Sequence, residues 1–345
     1  MSVYGLYQPY KVNRPLNRSE KHHRLHQGRP AKVRFFNNEQ SVIRINSTYL
    51  ETVDKFHKGG GDTGLFALLF FMLVSIHLYV LYHCFFVSEK ETKDKIIDIV
   101  ISSLVMSFFY FLSGYFLLKQ WFKWTHYPIR FNRKSKMVYV FRTNGSVLTV
   151  PWQDIYFTQD KEPGILNDWS IRGHILDSDG ETVLETFSLG VCTDKSTTLE
   201  YWEFIRCYME EDVVPELAEL IMFCPPAEDR KEGFIFCWQN LLYMGSRLEW
   251  LLLPLTLPLS LEASVWRYIT CVTGKIPRWP REVLDACRPD PADPVSISAA
   301  NNPEKMWRLV FANEPRDVWQ ERYDRMDAAT NKIHAVLAKR YGHHI

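Results

Sequence analysis

The chain has 345 residues, a formal net charge of +1 and 14% aromatic residues. That charge excludes both an acidic disordered chain and a strongly basic nucleic-acid binder. The seven cysteines form no CxxC pair or zinc pattern, so they are expected to be reduced thiols facing the cytosol, with no metal site and no cofactor.

Residues 1–63 form a basic N-terminal arm. Its first 34 residues hold eight Lys or Arg against one acid, Glu20. Facing a membrane, such an arm attracts anionic headgroups, and Lys11, Arg14, Arg18, Lys21 and Arg24 are the candidates for that contact. No aromatic residue interleaves with the cluster, which speaks against nucleic acid. The histidines at 22, 23 and 26 read as part of a solvated basic arm rather than a metal site. Gly59–Gly60–Gly61 lacks the Lys-Ser/Thr of a phosphate loop and reads as a joint.

Two apolar runs follow, 65–87 and 96–118, each 23 residues, joined by the charged loop 88–95. The first carries no Asp, Glu, Lys or Arg, and the second only Asp98. A hydrocarbon core of about 30 Å needs about 20 apolar residues as helix, so 64–118 reads as a two-helix transmembrane hairpin. Nine Lys or Arg flank the hairpin's outer ends against three in the loop, which places both termini in the cytoplasm. Trp121 and Trp124 then mark the inner interface. Polar residues inside the spans invite a functional reading: His77, His83, Asp98 and Ser103. His83 is expected to pair with Asp98, and Ser103 or Ser107 with His77. Helix-to-helix hydrogen bonding is favoured over an ion relay, which two helices could support only as a homo-oligomer.

Residues 128–212 alternate β-branched and aromatic residues in short runs, cut by turn signals at Asn144–Gly145 and at Asp177–Ser178–Asp179–Gly180. Six or seven strands in an antiparallel meander are expected, and the acidic turn is read as a turn rather than a metal loop. A helix over 197–212, capped by Thr197 or Thr198, places Trp202, Ile205 and Met209 on its apolar face. A meander closed by one amphipathic helix is the plan of a pleckstrin-homology-like barrel. The fold class expected is therefore an α+β membrane protein.

The segment PIRFNRKSKMVYVFRTNGSVLTVPWQDIYF, with the GHILDSDG and FSLG turns, WEFIRCYME and the Asn13–Arg14–Pro15–Leu16 element, resembles an uncharacterised bacterial family. The resemblance covers most of residues 8–290. It implies an inner-membrane protein with a cytosolic β-rich domain, encoded near type VI secretion and polymorphic-toxin genes. An immunity or accessory role follows from it as an expectation, with a toxin or secretion component as partner. It supplies no catalytic residue.

Residues 213–314 are Pro-rich and apolar, holding most of the chain's 18 prolines. The uncharged run Trp250 to Leu261 is too short to span as helix, and is expected to join the core or lie at the membrane interface. Pro280 is placed to start a short helix, with Trp279 packed beside it. Residues 315–342 form a C-terminal amphipathic helix with a seam of Trp319, Tyr323, Met326, Thr330, Ile333 and Leu337, ended by Gly342. No GxSxG, HExxH, P-loop or GxGxxG motif is present, so an interaction protein is favoured. An orphan enzyme with a dispersed site, or a subunit of an oligomeric channel or transporter, remain as alternatives.

Overall fold

The computed structural model describes residues 9–57, 64–162, 168–242, 247–303 and 306–342. In chain order its elements are β1 (Arg14–Pro15), α1 (Arg18–His22), β2 (Arg24–Leu25), β3 (Val42–Asn46), β4 (Tyr49–Thr52), α2 (Gly64–Tyr82), α3 (Thr92–Gln120), β5 (Ile129–Asn132), β6 (Met137–Phe141), β7 (Val147–Pro151), β8 (Ile155–Lys161), β9 (Trp169–Leu176), β10 (Thr182–Cys192), α4 (Lys195–Glu210), α5 (Val214–Glu219), α6 (Phe234–Leu241), α7 (Leu253–Thr273), α8 (Arg281–Ala286), β11 (Ser296–Ser298), α9 (Trp307–Ala312) and α10 (Arg316–Tyr341). The glycine joint at 59–61 lies outside the described residues.

The strands form two antiparallel sheets. One has the order β1-β10-β9-β8-β2, the other β11-β3-β4-β5-β6-β7. The turn chemistry read from the sequence is what closes the hairpins. Asn144 Oδ1 accepts from Ser146 N at 2.9 Å, and Gly145 takes φ +87° between β6 and β7. Asp179 accepts from the amides of Glu181 and Thr182, each at 2.8 Å, so its carboxylate builds the turn between β9 and β10. Gly173 on β9 lies under the Phe187 ring, where a Cβ would come within 2.3 Å of it. Only glycine lets the two strands hold that ring between them.

α4 is the centre of the core. Asp194 caps it, accepting from Thr197 N at 2.9 Å, so the cap lies upstream of the expected threonines. Asp reaches the free amides of the first turn as well as Thr does. Trp202, Ile205 and Met209 are fully buried, as their spacing predicts, and so is a second apolar stripe of Tyr201, Phe204 and Tyr208. The helix is buried on every side rather than amphipathic, because sheet strands, α5 and α10 cover it together. Trp202 stacks on Trp152 with centroids 5.6 Å apart and meets Phe157 at a tilt, with centroids 4.8 Å apart.

The segment before the hairpin is part of this body. β3 and β4 are inner strands of the six-stranded sheet, and the Asn-Arg-Pro-Leu element contributes β1 to the edge of the other sheet. A boundary at residue 63 therefore separates no independent arm. The chain leaves the sheet at Thr52 and returns at Ile129, and those two residues are direct partners across β4 and β5. The whole hairpin is inserted into the connection between two neighbouring strands.

α2 continues as a π-helical turn, His83–Val87, and α3 already begins at Thr92. The charged loop is thus shorter than 88–95: Thr92-Lys-Asp-Lys makes the first turn of α3, where Asp94 suits the positive end of the helix dipole. Two stretches, Ala67–Val87 and Thr92–Tyr115, are long and apolar enough to cross a membrane, and almost none of either is buried within the chain. α7 runs 21 residues although prolines punctuate it. Pro254 sits in the first turn, where no amide bond is lost, and Pro258 forgoes a single hydrogen bond.

Candidate functional site at the helix-body junction

Where the helices meet the body, six polar side chains converge from four separate parts of the chain. His57 precedes α2 and His126 precedes β5. Glu232 and Cys237 flank the start of α6, and Arg267 and Cys271 occupy one face of α7, one turn apart. Arg267 grips Glu232 through one edge of its guanidinium, Nε to Oε2 at 2.8 Å and Nη2 to Oε1 at 2.9 Å. Its Nη1 donates to the His57 carbonyl at 2.9 Å. His57 Nε2 lies 3.2 Å from Glu232 Oε1. The thiols of Cys237 and Cys271 approach Oε2 at 3.5 and 3.7 Å. The His126 ring stands edge-on to His57, with centroids 6.2 Å apart.

Burial alone would raise the carboxyl pKa of Glu232, but the charges of Arg267 and His57 together with the hydrogen bonds from Arg267 and Cys237 outweigh it and hold the group down to about 2. Burial and the neighbouring His57 push His126 down to about 3, so it is neutral. The hydrogen bond with Cys271, together with burial, pushes the Cys237 thiol up. The junction therefore holds a buried Arg267–Glu232 ion pair beside a neutral His126 imidazole.

The donor atoms of Glu232, Cys237 and Cys271 lie within 4.8 Å of one another, a set whose chemistry suits a thiophilic divalent ion. Both carboxylate oxygens are engaged by Arg267, however, and a cation there would have to displace that guanidinium. The arrangement fits an ion pair locking α6 to α7. Sequence spacing did not reveal it, since Cys237 and Cys271 sit on different helices. The available signal was Arg267 itself, a lone base in an apolar stretch that demands a partner.

A second buried network joins the N-terminal segment to the sheet. Lys55 Nζ lies 3.2 Å from both oxygens of Glu162, which also accepts from Ser170 and, at 3.2 Å, from Arg172. The Tyr10 ring sits beneath Lys55 and Arg172. Burial brings Lys55 down to about 8 and Asp54 up to about 6. In the same layer His174 Nε2 lies 3.0 Å from Thr158 Oγ1, and Nδ1 lies 2.9 Å from Thr186 Oγ1.

Burial lowers His174 to about 4, against about 6.5 in the unfolded chain. The unfolded chain thus takes up this proton first on acidification. The stability tied to His174 is full above pH 6.5 and is lost as pH falls from there towards 4. His174→Gln is expected to flatten that limb of an unfolding-versus-pH curve measured in detergent; an unchanged acid limb would contradict it.

The residues singled out from sequence distribute as follows. His77 Nε2 is 3.2 Å from Ser103 Oγ, the expected partner, and Nδ1 is 2.9 Å from Tyr110 OH, which the sequence did not suggest. Asp98 pairs with Lys90 at 2.6 Å rather than with His83, because the loop folds back as α3 starts early. His83 lies beside Tyr79 instead. Trp124 packs edge-on against Phe141 and over Gly145, so it fastens α3 to the β6–β7 turn. Trp121 is half-buried. Among the basic candidates, Arg14 is held by Glu20, Lys21 by Glu181, and Arg24 lies over the Tyr156 ring, while Lys11 and Arg18 are exposed.

Residues 106–291 match the profile of DUF6708, a family of unknown function. That stretch is more than half of the chain. The chain belongs to this family. The matched region opens inside α3 and closes after α8. It takes in β5 to β10, α4, and the α6 and α7 halves of the junction, while β3, β4 and α2 lie before it. No curated protein matches the chain, and no solved structure does.

Proposed function

We propose that this chain is a membrane-anchored interaction protein, with its hairpin in the bacterial inner membrane and its body on the cytosolic face. The observation that carries the reading is the insertion of α2 and α3 between the paired strands β4 and β5. If both helices cross the bilayer, both flanks are bound into one sheet and must share a side, with the N- and C-terminal segments beside them. The excess of Lys and Arg at that end makes this side the cytosol. Only Ser88–Glu91 joins the two helices, too little for a recognition surface on the far side.

The meander from β3 to β10 followed by α4 supports reading the body as a pleckstrin-homology-like barrel, with the hairpin as an insertion in it. A groove of about 700 Å³ lined by Phe223, Phe234, Phe236 and Trp307, with Arg230 among its lining residues, offers the body an apolar place for a partner. The resemblance to bacterial proteins encoded beside toxin genes adds the class of partner: a toxin, or a secretion component, that acts at the membrane.

Two measurements test this. Glu89→Cys should react with an impermeant maleimide in intact cells, and Ser178→Cys only after lysis; the reverse pattern overturns the orientation. Expression in a strain sensitive to the neighbouring toxin should restore growth and retain the toxin on the purified protein. Neither protection nor capture would overturn the immunity reading.

A further inference from the structure

The helices α6 and α7 form a second apolar hairpin beside the first. No Asp, Glu, Lys or Arg occurs in α6, and between Trp250 and Thr273 only Glu262 and Arg267 are charged. Arg267 is spent on Glu232 inside the junction. The two helices are also tied by Trp238 Nε1 donating to Ser260 Oγ at 3.2 Å. The other face of α7 is bare. Leu255 is 69% exposed and Leu259 67%, with Leu251 (76%) in the turn just before the helix and Val265 and Val272 continuing the stripe. A contiguous apolar row of that size marks a surface that something other than water covers.

The structure points to what covers it. α7 packs on α2, and Trp266 stacks on Phe71 at 5.9 Å and 23°. Phe71 lies about one turn inside the candidate span Ala67–Val87 and is itself half exposed. The bare face of α7 thus continues the bare face of α2. The ends of the second hairpin are together at the body, since Glu232 before α6 touches Arg267 and Cys271 near the end of α7. The hairpin must therefore enter and leave on one side.

We propose that α6 and α7 are a re-entrant hairpin sunk in the body-side leaflet, its exposed stripe covered by lipid acyl chains. The depth is limited by charge at both ends of the stripe: Arg247 and Glu249 stand in the turn just before α7, and on α7 itself Glu262 Oε1 accepts from Trp266 Nε1 at 2.6 Å. A carboxylate stays at the headgroups, and tryptophan and tyrosine gather there too, as Trp266 and Tyr268 do here. α7 then lies steeply tilted or flat in one leaflet, rather than crossing both. This proposal rests on the anchoring of α2 and α3 in a bilayer.

The test uses the full-length protein reconstituted in phospholipid vesicles, with an environment-sensitive fluorophore on a cysteine introduced at Leu255, Leu259, Phe108 or Ser178. The unsubstituted chain gives the background from its seven buried thiols. Lipids carry a nitroxide quencher either near the headgroup or near the chain end. The expected result is about two-fold quenching at Leu255→Cys and Leu259→Cys, stronger with the headgroup-proximal nitroxide, and none at Ser178→Cys. Phe108→Cys, deep in α3, should be quenched best by the chain-end nitroxide. If Phe108→Cys is quenched and Leu255→Cys behaves like Ser178→Cys, the re-entrant hairpin is wrong and the anchor stands. Stronger quenching of Leu255→Cys by the chain-end nitroxide would overturn the single-leaflet placement. If Phe108→Cys is not quenched, the anchor itself fails, and this proposal with it.

Discussion

Arg267→Leu should cost about 3–5 kcal/mol of stability, because it strands the buried Glu232 carboxylate without its cation. Little else at the junction can replace the guanidinium. His57 offers one nitrogen, the two thiols are weak donors, and His126 is held neutral. The loss should appear as a lower midpoint in urea unfolding of the detergent-solubilised protein. The cause is separable from lost packing. Adding Glu232→Gln to Arg267→Leu removes the orphaned charge, and more than half of the stability should return, as expected for groups that share one interaction. A single variant less than about 1 kcal/mol below the parent would mean that water reaches the pair and that the junction is looser than its geometry.

Trp202→Ala should be as damaging, at about 3–5 kcal/mol, for a different reason. Trp202 is the largest side chain that α4 presents to the strands, and its ring lies against Trp152 and Phe157 together. Truncation leaves a hole bounded by two rigid rings, Trp152 in the turn before β8 and Phe157 on β8, which cannot close over it without moving the backbone. The variant should retain its helical content while losing near-ultraviolet aromatic dichroism and cooperative melting. Trp202→Phe, which keeps a ring in the same place, should recover most of the loss; equal damage from both substitutions would show that the indole is not acting by volume.

What could be read in advance followed from short-range chemistry. The Asn144–Gly145 and Asp177–Gly180 turns are local, so they and the strands between them were legible. So were the C-terminal helix and its end at Gly342, since a periodic stripe and a terminating glycine lie within one segment. Even there the tertiary outcome was not local. Ala329, Thr330, Ile333 and Leu337 dock, while Trp319 and Tyr323 stack on each other in the open. The N-terminal segment was read as a solvated arm from its charge, and charge alone cannot show that Arg14 meets Glu20 or that Pro15 pairs with Thr182. The junction was the least legible part. It brings residues 57, 126, 232 and 267 together, and nothing in a local pattern encodes that meeting.

The strand pair interrupted by the spans has a consequence for how the protein is made. β4 leaves the ribosome long before β5, and at about 5–20 residues per second several seconds pass before its partner exists. During that time β3 and β4 have only each other, and the free edge of β4 is exposed to any other strand nearby. On the proposed anchoring, the partner arrives only after the chain has gone into the bilayer and come back. Membrane insertion would then be a step within the folding of the sheet, and a chain whose two apolar helices missed the membrane would keep the edge of β4 open for longer.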